Sequence, residues 1–290
     1  MVDLTGQVAV VTGGGRGLGR AFAQTLASTG ASVAVIARST KELAETVASI
    51  GANARAFAAD VTDAEAIQAA FAEIGPVDVL VNNAGVLGPI GPFWEAPFDD
   101  WWHAMDVNVR GAMLCTRCAL ASMIPRRRGR IVNLATGAVP AAYLSPYMTS
   151  KTALVRATEC LAAELKPFNI FLFSVAPGTV RTDMSMHSVQ SAEGQRWIPW
   201  FRRIFDEGVD LPPERPAELV LALASGKADA LSGLYLSPFD DLDAMLQNFG
   251  EIEKEKLHSL RVRTHGVSAA AAAIASIRES ANRGKPTLET

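Results

Sequence analysis

A chain of 290 residues, 49% of them hydrophobic, can bury a large core, as one α/β domain or two smaller ones. A formal net charge of −3 lacks the basic excess of a general nucleic-acid or membrane-surface binder, so small molecules are the expected partners. Three cysteines, no charged-then-apolar leader and no apolar run near the ~20 residues of a bilayer span point to a reduced, cytoplasmic protein with no membrane partner.

Gln7–Thr12 is a short apolar, β-branched run leading into Thr12-Gly13-Gly14-Gly15-Arg16-Gly17-Leu18-Gly19, and a helical pattern follows over Ala21–Ala27. Strand, glycine turn and helix form a phosphate cradle. Glycine supplies positive φ and close backbone approach, and the helix start offers unpaired N–H groups to a pyrophosphate. Gly13, Gly15, Arg16, Gly17, Leu18 and Gly19 are therefore candidate cofactor contacts. Apolar runs at Ser32–Ala37, Ala54–Ala59, Val77–Val81, Arg130–Leu134 and Ile170–Val175 alternate with helical patterns, and Leu231–Leu236 reads as a last strand. Such alternation specifies an α/β fold, a doubly wound parallel sheet between helical layers in a Rossmann-like α/β/α arrangement.

Ala37-Arg38 ends the second strand, where dinucleotide folds place the side chain that meets the adenosine ribose. An acid there would bond the 2′-hydroxyl. Ala37 cannot, whereas Arg38 and Arg16 can grip a 2′-phosphate through charge-assisted hydrogen bonds of roughly 1.5–3 kcal/mol each. NADP(H) is thus the expected cofactor and NAD the less favoured one. Thr62-Asp63-Ala64-Glu65 reads as a capping box opening the next helix, which puts Asp60 and Val61 at the carboxyl end of the third strand, with Asp60 placed to accept from an adenine amino group. In Val81-Asn82-Asn83-Ala84-Gly85 the asparagines can tie strand ends together, and Asn83, Ala84 and Gly85 leave room for a flat ring.

Phe98–Ile124 reads as two helical stretches with Asn108 midway. Cys115-x-x-Cys118 inside it reads as helix packing, and no metal site is expected. Arg126-Arg127-Arg128-Gly129-Arg130 reads as a solvated turn. Pro146-Tyr147-Met148-Thr149-Ser150-Lys151 puts a phenol and an ammonium four residues apart at the start of a helix that ends before Pro167. Residues at that spacing share a face, and a nearby lysine cation favours the phenolate, so Tyr147 and Lys151 form a candidate acid/base pair. Ala176-Pro177-Gly178-Thr179-Val180-Arg181-Thr182 is a turn at the ligand edge, and Met184–Glu207, with Met186, Trp197, Trp200 and Phe201, has the composition of a substrate lid. Asp240–Arg263 is charged and helical. Ser268–Thr290 is alanine-rich and then polar, an arm over a neighbouring subunit or a frayed end.

Together these motifs resemble the short-chain dehydrogenase/reductase family. Thr12-Gly13-x-x-x-Gly17-x-Gly19, Asn82-Asn83-Ala84-Gly85, Asn108-Val109-x-Gly111, Tyr147-x-x-x-Lys151 and Pro177-Gly178 occur in the family's order, with the glycine spacing of its compact single-domain branch. The resemblance implies reversible hydride transfer between NADP(H) and a ketone or secondary alcohol, with Tyr147 as acid/base and Lys151 lowering its pKa and holding the ribose. It also implies that Asn108 bends its helix and holds a water leading to Lys151. Beside Pro177 and Gly178, the Val180 backbone would meet the nicotinamide carboxamide and Thr182 would support it. A lipophilic or aromatic substrate and a homodimer or homotetramer, paired through the helices carrying Asn108 and Tyr147, complete the expectation.

Asn133-Leu134-Ala135-Thr136-Gly137 departs from the family, which normally has a catalytic serine where Thr136 stands. Threonine keeps the donor and acceptor but adds a methyl and a stiffer χ1, and Ser145 is its rival for the role. The expected organisation is one dinucleotide-binding domain over residues 1–239, including a lid at about 182–212, and a C-terminal extension over 240–290. The alternative function is a cofactor-binding regulator or scaffold with weak or no turnover. Thr136 speaks for it; Asn108, Tyr147 and Lys151 speak against it. An RNA-binding role for the basic turn conflicts with the net charge.

Overall fold

The alternating apolar runs become seven parallel strands in a computed structural model, which describes residues 2–136 and 139–262. They are β1 (Val8–Thr12), β2 (Ser32–Ala37), β3 (Ala54–Ala58), β4 (Val79–Asn82), β5 (Gly129–Leu134), β6 (Ile170–Val175) and β7 (Tyr235–Leu236), in the order β3-β2-β1-β4-β5-β6-β7. The order reverses between β1 and β4, the switch point at which open α/β sheets bind ligands. Both faces of the sheet are covered, so its strands read as continuous apolar runs rather than alternating ones.

Successive side chains of β1 enter opposite layers. Val11 joins Phe173 and Val175 under α1 (Gly17–Ser28) and α10 (Glu214–Ser225), which contribute Phe22, Leu26, Val220 and Leu223. Val10 joins Ile36, Leu80 and Ile131 under α3 (Ala64–Ile74), α5 (Ala112–Arg126) and α6 (Ser145–Leu165). α2 (Thr40–Ile50) flanks the β2 side, and α4 (Phe98–Met105) precedes α5. The lid region forms three short helices, α7 (Asp183–Gln190), α8 (Ala192–Trp197) and α9 (Trp200–Asp206). Among the described residues no helix is long and apolar enough to cross a membrane.

Three local expectations are corrected. α3 is capped by Asp63, which accepts from the backbone N–H groups of Glu65 and Ala66, while the Thr62 hydroxyl turns back to Asp60 at 2.7 Å. A carboxylate one residue later reaches the same free amides and carries the charge that a helix N-terminus favours. The arginine turn is not simply solvated. Arg126 and Arg128 converge on the buried Asp78 at 2.6 and 2.7 Å, and Arg130 pairs with Asp229. Burial alone would raise the Asp78 carboxyl, but the Val8 N–H and the two guanidinium groups hold it below the usual range. Finally, β7 is two residues long, because a 3-10 turn over Asp229–Leu231 and Gly233 at φ 89° occupy the start of the expected strand.

Beyond β7 the chain forms α11 (Leu242–Gln247) and α12 (Phe249–Glu255), then returns to the sheet. The Tyr235 N–H donates to the His258 carbonyl at 2.8 Å, and the Leu260 N–H donates to Glu159 of α6 at 2.7 Å. The outer edge of β7 is thereby covered, which removes an unpaired strand edge. The expected alanine-rich arm at 268–290 lies outside the described residues.

Candidate active site

The strands of the switch point are tied at their carboxyl ends by side-chain amides. Asn82 donates to Asn133 at 2.8 Å and to Thr116 at 2.9 Å, and Asn133 donates to Thr158, so β4, β5, α5 and α6 share one buried relay. Asn83 donates to the Thr12 and Gly13 carbonyls, and the Thr12 hydroxyl accepts from the N–H groups of Asn83 and Ala84. This locks β4 against the glycine turn. Gly13 has φ 63°, and a Cβ there would lie 2.8 Å from the Asn83 amide; a Cβ on Gly19 would collide with the Gly13 carbonyl. Only glycine allows that approach. The N-cap Arg16 gives α1 no side-chain cap and the first turn carries no acid, so its leading N–H groups are left to a ligand.

A cleft of about 500 Å³ opens above this edge. Gly13, Gly15, Arg16, Gly17, Leu18, Gly19, Arg38, Asp60, Val61, Asn83, Ala84, Gly85, Tyr147, Lys151, Pro177 and Thr182 line it, while Gly178, Val180, Thr136 and Asn108 stand outside the lining. Sequence reasoning passed over Glu42 and Val86 and gave Asp183 and Met184 only as part of the lid, and all four line it as well. Their positions depend on where α2, the β4 exit and α7 fold back, and no local motif marks them.

Charge at the adenosine end is already paired. Arg16 meets Asp183 at 2.8 Å and Glu42 at 3.4 Å, and Arg38 faces Asp60 at 3.7 Å. Asp60 accepts from the Thr62 N–H and hydroxyl on its other oxygen. Burial raises its carboxyl, but these bonds and then Arg38 hold it below the usual range.

At the opposite end, Tyr147 and Lys151 occupy successive turns of α6. The Lys151 ammonium donates to the Leu134 carbonyl at 2.7 Å and lies 5.8 Å from the centre of the Tyr147 ring. Burial dominates both groups, pushing the Tyr147 phenol up to about 12 and the Lys151 ammonium down to about 8. This runs against the expectation that the lysine pulls the phenol down: shared helix spacing brings the groups near, but the shift of each is set by its desolvation.

Asn108 is fully buried in a π-helical turn over Asp106–Gly111, between α4 and α5. Its amide donates to the Val86 carbonyl and the Ser150 hydroxyl and accepts from the Val86 N–H. A Cβ on Gly85 would come 3.1 Å from the Asn108 oxygen and 3.3 Å from the Lys151 nitrogen, so these groups border one small space. Thr136 follows β5 at the ligand edge, and its carbonyl accepts from the Tyr235 hydroxyl at 3.0 Å. Ser145, the rival hydroxyl, accepts from the Trp101 indole at 3.0 Å. Val180 is buried, with its carbonyl engaged by the Ser185 hydroxyl, and Thr182 caps α7. Cys115 packs inside α5, its thiol pushed up to about 12 by burial. Among the described residues no cluster of three or more His, Cys, Asp or Glu could hold a metal.

Switch-point cleft, glycine turn and uncapped helix start define a dinucleotide-binding protein. The short chain dehydrogenase family model matches residues 7–193, and the chain belongs to the short-chain dehydrogenase/reductase family. It is 36% identical to 2,3-dihydro-2,3-dihydroxybenzoate dehydrogenase of Bacillus subtilis over 239 residues, covering 78% of this chain and 91% of that one. Among solved structures it resembles a tryptophan variant of actinorhodin polyketide ketoreductase with NADPH, with TM-score 0.74, 32% identity and coverage of 80% and 95% of the two chains. It also resembles NAD+-bound xylitol dehydrogenase, with TM-score 0.72, 27% identity and coverage of 80% and 97%.

Proposed function

We propose that the protein transfers hydride reversibly between NADP(H) and a lipophilic or aromatic ketone or secondary alcohol. The observation that carries this reading is the convergence of Tyr147, Lys151 and the Asn108 amide beside one end of a cleft whose other end is a glycine cradle. The cradle fits a dinucleotide: glycine at Gly13 lets the turn close against Asn83 and Ala84, where a Cβ would collide, and the uncapped start of α1 suits a diphosphate. Bound there, the nicotinamide supplies the hydride chemistry.

The chain's own residues do the rest. Tyr147 gives its proton to the substrate oxygen during reduction and takes it back during oxidation. Lys151 holds ribose hydroxyls and, while charged, favours the phenolate against the desolvation that opposes it. Asn108 keeps its π-turn fixed and orders the water that resupplies the proton, Thr136 holds the substrate oxygen, and Val180 and Thr182 seat the carboxamide. Ala37, Arg16 and Arg38 support the choice of NADP(H), since they offer two cations and no ribose-binding acid. The NADPH-bound ketoreductase and the dihydroxybenzoate dehydrogenase support a carbonyl or alcohol on a ring-bearing substrate.

Assembly as a homodimer or homotetramer through α4, α5 and α6 belongs to the same reading. Phe98 and Trp102 of α4 are exposed, at 63% and 49%, and Ala153 and Ala157 of α6 permit close approach. Turnover of a panel of ketones and alcohols with each cofactor tests the activity. A scaffold without turnover, the reading Thr136 favours, would bind NADPH and convert none of them.

A further inference from the structure

Three segments leave the ligand edge beside Tyr147: the β4 exit at 86–91, the approach to α6 at 139–144, and the lid at 197–201. None of them contains a charged residue. They meet in an apolar cluster separate from the two sheet cores, in which Ile90, Leu144 and Ile198 are buried and Leu87, Met148, Trp197 and Phe201 pack against them. Val86 and Tyr147, the chain neighbours of Leu87 and Met148 of this cluster, line the cleft, so the cluster borders the cleft's Tyr147 end from outside its lining.

At its exposed edge Tyr143 has φ 67°, a left-handed conformation that bulky residues rarely adopt and that persists only where surrounding contacts fix it. Two contacts do so. The Gly91 N–H donates to the Tyr143 carbonyl at 2.9 Å, and the Tyr143 ring lies 4.8 Å from the Trp197 ring with 39° between their planes. The same indole packs against Gly91, where a Cβ would sit 3.5 Å away, so Trp197 joins all three segments. Arg196, next to Trp197 in the chain, lies 4.5 Å over the Trp197 ring and is exposed. Tyr143 keeps 38% of its surface open.

We infer, resting on the hydride-transfer reading, that the Tyr143–Trp197 pair is the selective wall of the substrate pocket and that the substrate is an uncharged ketone or alcohol carrying a flat ring. Two aromatic rings in contact offer a ring-bearing ligand large apolar contact at fixed geometry. A carboxylate or phosphate placed against them loses hydration with only the solvent-exposed Arg196 at the edge of the pair to meet it, and a polyol loses several hydrogen bonds.

The test uses the full chain saturated with its preferred cofactor, with 1-tetralone as the ring ketone, 2-butanone as the small apolar ketone and acetoacetate as the charged one. Calorimetric binding of 1-tetralone decides the inference. The wild type should bind it at least about tenfold more tightly than either other compound, and Trp197→Ala and Tyr143→Ala should each lose about tenfold. A Trp197→Phe change should restore most of the loss, which separates stacking from damage to the lid. Equal binding of the three compounds, no detectable binding of 1-tetralone, or tight binding retained in both alanine variants overturns the inference. Turnover of the same compounds decides the underlying reading separately: ring-selective binding without conversion of any compound removes the hydride assignment and leaves the wall standing.

Discussion

At its dinucleotide end the cleft is made of backbone, strand ends and buried amides; beside its Tyr147 end lies a cluster of aliphatic and aromatic side chains carried on loops, on α6 and on the short helices of the lid, which are 8, 6 and 7 residues long. The first construction tolerates little change, since a methyl on Gly13 or Gly19 meets the backbone or the Asn83 amide. The second rests on side-chain packing between segments far apart in the chain, which can be exchanged without disturbing the sheet. A rigid end that fixes the chemistry and a replaceable end that fixes the ligand let one scaffold serve many substrates.

Substitutions at the two ends should therefore differ in kind. The largest effect is expected at Tyr147→Phe, which keeps ring volume and removes the transferable proton: turnover should fall by at least ~10²-fold while NADPH still binds. Next, Thr136→Val should lower turnover by about tenfold or more while Thr136→Ser retains or raises it. Damage from Ser145→Ala instead would move the hydroxyl role to a residue that accepts from the Trp101 indole.

At the adenosine end, Arg38→Ala should remove about tenfold of the NADPH over NADH preference in kcat/KM. Glu42→Gln should act oppositely and more weakly, raising the preference about threefold, because it frees Arg16 from a carboxylate that a 2′-phosphate must outcompete. Saturation curves for both cofactors at fixed ionic strength measure both effects, and a shared sign would break the electrostatic account.

The smallest effect is on stability. Lys151 has a folded-state pKa lowered to about 8 from 10.5, so between those values the unfolded chain binds more protons and stability rises with pH. Tyr147, raised from 10.0 to about 12, has the opposite slope, but only above its unfolded value. Urea midpoints at about pH 7.5 and about 9.5 should thus show a rise in the wild type that Lys151→Met lacks.

How much the sequence disclosed divides along the same line. β2 and β6 keep their expected bounds, and the glycine turn, the Asn83 region and the Tyr147/Lys151 pair line one cleft, because each is written in neighbouring residues. What stayed hidden involves partners distant in the chain. Asp78 pairs with Arg126 from 48 residues away, Asp183 reaches Arg16 across 167, and Tyr143 packs at a tilt against a tryptophan of the lid. The direction of the Tyr147 shift was hidden for a related reason, since helical spacing gives the face a residue shares but not its desolvation. The π-turn at Asn108 was expected only as a bend implied by resemblance.

The most direct test of hydride transfer through Tyr147 is isotopic. NADPH deuterated at the transferring position of the nicotinamide, incubated with 1-tetralone, should give an alcohol with one deuterium on the carbinol carbon, and Tyr147→Phe should slow its formation by at least ~10²-fold. Product without deuterium, no product with any ketone in the panel, or a Tyr147→Phe rate within about threefold of wild type would contradict the account.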